Sequence, residues 1–157
     1  MKQFVGIVLL FTLVLASSLT TVSAMEEKTA FNESMTVTYL EDGFYLVTTV
    51  RTYVSSVVTI GAVAQVSGSK TVNLYSDNNT RLCSLTVEGA FSFDGHSSKA
   101  LSAGYSYAIY NVLWSFSSGN ADYQGNTATA TATFMYLGIK PTTLSVSLSC
   151  SPDGVLS

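Results

Sequence analysis

From residue 34 onward the chain alternates apolar and polar residues with a period of two, and no stretch after residue 24 carries the spacing of an amphipathic helix. The alternating positions are rich in β-branched and aromatic residues, which suit a pleated, half-buried surface. Met35, Val37 and Tyr39 alternate with Thr36 and Thr38, Glu41-Asp42-Gly43 reads as a turn, and residues 44–54 read as the returning strand. Asp-Gly supplies the backbone angles that a tight hairpin requires. Val58, Ile60, Ala62, Ala64 and Val66 share one face of a third strand, with a turn expected at residues 67–70 and a short strand at 71–76. Asp77-Asn78-Asn79 is a further turn. Cys83, Leu85, Val87, Phe91 and Phe93 share a face that Gly89 interrupts, so a bulge is expected there. Asp94-Gly95 ends that strand. A β-like run at 105–118 breaks near Asn111, and residues 118–125 read as a loop. Strands follow at 126–139 and 142–150, and Pro141 and Pro152 punctuate the last of them. The expected fold is all-β: a single antiparallel β-sandwich over residues 34–157, with a flattened β-barrel as the alternative.

The N-terminus has the three parts of a signal peptide: Lys2, an uncharged apolar run over residues 4–15, and a small-residue site ending Val22-Ser23-Ala24. The apolar run is short of the ~20 residues that cross a bilayer. Residues 1–24 are therefore expected to be removed, residues 25–33 to form a flexible leader, and the product to be secreted, extracellular and free of the membrane. That product carries six basic and ten acidic residues, a net charge of −4. It offers no basic patch for phosphates, which argues against a nucleic-acid partner. Ser and Thr make up more than a quarter of it, the hydroxyl-rich surface of an extracellular protein.

Cys83 is in register with Leu85 and Val87, and Cys150 with Leu144, Val146 and Leu148. An even cysteine count in an exported chain favours a disulfide between them, worth ~4 kcal/mol across so long a loop. Two separate buried thiols are the alternative. Thr127, Thr129, Thr131 and Thr133 alternate with Ala128, Ala130 and Ala132. The alanine face implies close packing on large neighbours, with Trp114 and Phe116 as candidates, and the threonine face implies solvent. A threonine ladder can also order water as ice-binding surfaces do, but this one is short and flanked by aromatics.

The chain assembles no recognisable catalytic constellation. Asp94-Gly95-His96-Ser97-Ser98 holds the parts of a hydrolytic triad, yet residues so close on one turn rarely align as nucleophile, base and orienter. With a single histidine and inward-facing cysteines, no zinc site is expected. Asn120, Asp122, Gln124 and Gly125 resemble half of a calcium loop, but Thr131 stands where a bidentate Glu belongs. Glu41 and Asp42 are adjacent and cannot flank a glycosidic bond. No catalytic residue, metal or cofactor is therefore assigned. Asn32 and Asn78 begin N-glycosylation patterns. Among nine tyrosines, Tyr105 and Tyr107 share one strand face and are the candidate ligand-binding pair, since exposed aromatics stack on sugar rings. The alternative is that they close a core edge with wet hydroxyls.

Three stretches, LCSLTVEGAFSF (82–93), WSFSSGNADYQGNTATATATFM (114–135) and residues 137–157, resemble a family of small secreted Ser/Thr-rich β proteins of Gram-positive, clostridial, gut-associated bacteria. The resemblance covers residues 44–157 and implies an exported β domain, without an established activity. In that family's pattern a cysteine stands where this chain has Ala100, and tryptophan where it has Cys83. The leading functional expectation is a secreted, non-catalytic interaction module for an extracellular ligand, a glycan or a surface protein. Alternatives are a bacteriocin-like or membrane-active effector, which the acidic charge disfavours, and a hydrolase built on Asp94 and His96.

Overall fold

The computed structural model describes residues 30–40, 43–53 and 63–157. The signal peptide, the leader up to Thr29, and the expected strand positions Val58, Ile60 and Ala62 lie outside the described residues.

The strands are β1 (Ala30–Tyr39), β2 (Tyr45–Tyr53), β3 (Ala64–Tyr75), β4 (Arg81–Phe93), β5 (Ser98–Ile109), β6 (Trp114–Gln124), β7 (Thr127–Tyr136) and β8 (Lys140–Ser149). They form a five-stranded sheet, β1-β2-β3-β4-β5, and a three-stranded sheet, β6-β7-β8. Every pairing is antiparallel and neither sheet closes on the other, so the fold is a β-sandwich and not a flattened barrel. Each hairpin has a local cause. Gly43 turns β1 into β2 at φ 78°, and Leu137 and Gly138 (φ 51° and 71°) supply the left-handed backbone of the three-residue connection, 137–139, between β7 and β8.

Register assigns the faces. Val66, Val72 and Leu74 of β3 lie opposite Phe91, Leu85 and Cys83 of β4, and these side chains form one wall of the core. Ala128, Ala130, Ala132 and Phe134 of β7, with Leu144, Val146 and Leu148 of β8, form the other. Burying each large side chain here contributes about 1.5–3 kcal/mol. β4 packs on β7 and β8, β3 on β8, and β5 on β6, so the small sheet lies chiefly against β3 to β5. The inner faces of β1 and β2 overhang it.

Several sequence expectations are corrected. β1 begins at Ala30, so the last four residues of the expected leader are strand. Residues 67–70 do not turn; they continue β3 between β2 and β4. Gly68 is required there because a Cβ would lie 2.7 Å from the Arg51 carbonyl oxygen and closer still to Leu156. The run 105–118 divides into β5 and β6 around the turn at Asn111, whose side-chain oxygen accepts the Leu113 amide at 2.9 Å. Residues 118–124 are strand rather than loop. The bulge expected at Gly89 falls just after it, between Ala90 and Phe91.

The disulfide is absent: Cys83 and Cys150 are both free and buried. Cys83 sits near the start of β4, whereas the Cys150 carbonyl accepts the hydroxyl of Ser98, the register partner of Phe93 at the far end of β4. Along a strand that is about 30 Å, against the ~7 Å limit for a bridge. Burial pushes the Cys83 thiol up to about 12 and raises that of Cys150. Both thiols are expected to resist a neutral-pH thiol reagent in the folded protein. On denaturation without reductant, Ellman titration should release two equivalents per chain.

Candidate functional site

Tyr105 and Tyr107 lie opposite Val87 and Leu85, on the core side of the five-stranded sheet. They remain 37% and 46% exposed because β5 is the edge where the chain crosses to β6. Tyr107 stacks on Phe116 with ring centroids 4.0 Å apart and planes 3° from parallel. Tyr105 lies over Gly119, where a Cβ would come within 2.8 Å of its ring. One face of each ring is thus spent on the corner between the sheets. The rest of each side chain is open to solvent.

The other sequence candidates resolve into local structure. The Asp94 carboxylate accepts the backbone amides of His96 (2.9 Å) and Ser97 (2.7 Å) and the Ser97 hydroxyl, which closes the turn. These amide bonds hold its pKa below the usual carboxylate value. The carboxylate orients backbone, not an imidazole. Asn120, Asp122 and Gln124 lie along β6 rather than around a loop, and no cluster of three metal-ligating side chains occurs among the described residues. The alanines of β7 are fully buried. At Ala128 the close neighbours are Gly89 and Phe91 of β4, while Trp114 and Phe116 pair further along with Tyr136 and Phe134. The threonines face outward and bond across to β8: Thr127 to Ser149 (2.9 Å), Thr129 to Ser147 (2.8 Å), Thr131 to Ser145 (3.4 Å) and Thr133 to Thr143 (3.1 Å).

The outer face of the five-stranded sheet carries a row of three tyrosines. Tyr39, Tyr45 and Tyr75 are register partners across β1, β2 and β3. Tyr45 stacks on Tyr75 at 5.0 Å and 7°, and Tyr39 tilts against Tyr45 at 5.9 Å. The Tyr45 hydroxyl donates to Asn79 Oδ1 at 3.0 Å, and Tyr39 is 81% exposed. Asn79 can serve because its left-handed φ of 62° belongs to the turn that joins β3 to β4.

Beside this row runs a shallow groove of about 270 Å³, whose lining includes Arg51, Thr71, Asn73, Arg81, Thr86 and Tyr110. The Arg81 guanidinium lies 4.0 Å above the Tyr110 ring and donates to Asn73 Oδ1, while Asn73 Nδ2 donates to the Val47 carbonyl at 3.3 Å. Thr71 and Thr86 share a hydroxyl hydrogen bond of 2.8 Å, and the Ser84 and Tyr110 hydroxyls meet at 3.5 Å. Arg51 sits at the rim, 3.6 Å from Glu33 in an exposed pair that contributes little to stability. No carboxylate lines the groove. Its floor therefore presents fixed hydroxyl, amide and guanidinium groups on rigid strands. The tyrosine row escapes sequence reading because its members come from three strands and meet only once register is known.

No family model, no curated protein and no solved structure matches the chain.

Proposed function

We propose that the chain is a secreted, non-catalytic module that binds a polysaccharide on the outer face of its five-stranded sheet. The observation that carries this reading is the juxtaposition of the Tyr39–Tyr45–Tyr75 row with a groove of donors and acceptors free of carboxylates. Sugar rings offer C–H faces for aromatic contact and hydroxyls for hydrogen bonding, and this surface supplies both partners. The resemblance to small exported Gram-positive proteins agrees with an extracellular polymer as ligand.

A surface protein is the second reading. Met35 and Val37, beside Tyr39 on the same outer face of β1, are 66% and 46% exposed, and such apolar surface suits a protein partner.

The test is depletion of the exported chain from solution by purified cell walls and a panel of insoluble polysaccharides. One or more of these is expected to retain the protein. Tyr45→Ala should weaken retention about tenfold, a loss of ~1.4 kcal/mol, with an unchanged circular dichroism spectrum. Failure of every polysaccharide to retain the protein would remove the glycan reading and leave the protein partner.

A further inference from the structure

The sandwich is lopsided in a self-complementary way. The five-stranded sheet outruns the three-stranded one by two strands, β1 and β2. Above their inner faces lies a groove of about 540 Å³, bounded by Ser34, Thr36, Leu46 and Val50 on one side and by Ser145 and Ser147 of β8 on the other. Both strands that border this gap are sheet edges: β1 ends the large sheet and β8 ends the small one. β8 already accepts a partner at one end of its open side. The Ser149 amide and carbonyl bond reciprocally to Ser157 at 3.0 Å, and Leu156 lies buried over Gly68. Because backbone groups alternate along a strand, the N–H and C=O groups of Ser147, Ser145 and Thr143 point the same way as those of Ser149, into the gap. Among the described residues no strand pairs with this edge, and an edge of this kind is a template for another strand.

Strand direction selects the occupant. β1 runs antiparallel to β2, β2 to β3 and β3 to β4, so β1 is antiparallel to β4. β8 runs with β4. Phe134, the partner of Thr142 near the start of β8, touches Tyr107 opposite Leu85, and Cys150 beyond its end meets Ser98 opposite Phe93. β1 and β8 are therefore antiparallel.

Consider a two-fold axis parallel to the strands, between the sheet levels. It carries the overhang of a second copy onto the gap of the first, and the reverse, in one operation. Strand direction is preserved, so the second copy's β1 arrives antiparallel beside β8. We propose that the chain forms a symmetric dimer in which β1 of each copy extends the other's small sheet. Each composite sheet then has eight antiparallel strands, in the order β6-β7-β8 followed by β1 to β5 of the second copy. The inner faces of β1 and β2 cover one another, and both open edges are paired, as a closed isologous interface requires. Lys70, half-buried, lines the same groove as Ser34 and Thr36. The two tyrosine rows would lie on opposite faces of the dimer, which makes it bivalent.

Sedimentation equilibrium of the exported chain tests this, with two variants. Thr36→Arg places two like charges on the facing β1 surfaces, at a residue exposed in the single copy. Ser145→Pro removes one amide from the open edge of β8, on the side away from β7. The wild-type chain is expected to sediment as a dimer. Each variant should raise the dissociation constant roughly 100-fold, the scale of burying an uncompensated group, while keeping the β-type circular dichroism spectrum. A wild-type monomer at millimolar concentration, a larger polydisperse mass, or a dimer that survives either correctly folded variant would overturn the proposal.

Discussion

Phe134→Ala is expected to lower the unfolding free energy by about 3–5 kcal/mol. Phe134 is fully buried on the inner face of β7, and its ring meets two others edge-on: Phe116 of β6 at 6.0 Å and Tyr107 of β5 at 6.2 Å. Phe116 and Tyr107 stack on each other, so three strands converge on this one side chain. Truncation removes the burial of the ring and leaves a cavity. It also removes the floor on which the stacked pair rests. The neighbours cannot close the gap cheaply, because β5 and β6 are held in separate sheets. Domains of this size are stable by about 5–15 kcal/mol, so the loss is a large fraction of the whole. Urea denaturation followed by intrinsic fluorescence measures it. A loss below about 1.5 kcal/mol would mean that the corner between the sheets is loosely packed.

Gly89→Val is expected to destabilise by about 1–3 kcal/mol, although valine is the better strand former. The propensity gain is under about 1 kcal/mol. Against it stands the close approach of the sheets: a Cβ on Gly89 would lie 2.8 Å from the Phe91 ring and 3.1 Å from the Ala128 Cβ. Phe91 is fully buried and cannot swing aside, and Ala128 is held on β7, the middle strand of the small sheet. Adding three carbons forces the sheets apart along β4 and β7. Gly104 of β5 is the control, because nothing lies within 4 Å of its added Cβ. Gly104→Val should be neutral or stabilise by a few tenths of a kcal/mol. If both substitutions behaved alike in the same denaturation experiment, propensity rather than sheet contact would decide the cost.

These two residues also show where the fold is legible in the sequence. β4, β7 and β8 each carry one apolar face and one hydroxyl face, and their alternation identifies them directly. β6 is different. Its inward positions include Gly119 and Ala121, small because Tyr105 of a neighbouring strand covers Gly119, and its outward positions are Asn120, Asp122 and Gln124. A strand with so little apolar contrast looks like a loop. Ser67-Gly68-Ser69-Lys70 misleads for the same reason. The glycine that suggests a turn is there because Leu156, far along the chain, lies against it.

The candidate site was less legible than the fold. Tyr105 and Tyr107 stand out because they are close in sequence and share a face, but only the sheet order shows that this face turns toward the core. Tyr39, Tyr45 and Tyr75 are far apart in sequence and become neighbours through two pairings. The disulfide expectation failed on geometry of the same kind: both cysteines do face inward, at opposite ends of the sandwich.

On the proposed reading, the outer face of the large sheet binds the ligand. The decisive comparison sets Tyr45→Ala/Tyr75→Ala against Tyr105→Ala, whose ring lies over Gly119 and outside the groove, in one depletion assay against the polysaccharide that best retains the wild-type chain. The double variant is expected to lose retention, and Tyr105→Ala, while it remains folded, to keep it. Retention lost only with Tyr105→Ala would overturn this reading and move the site to the corner between the sheets.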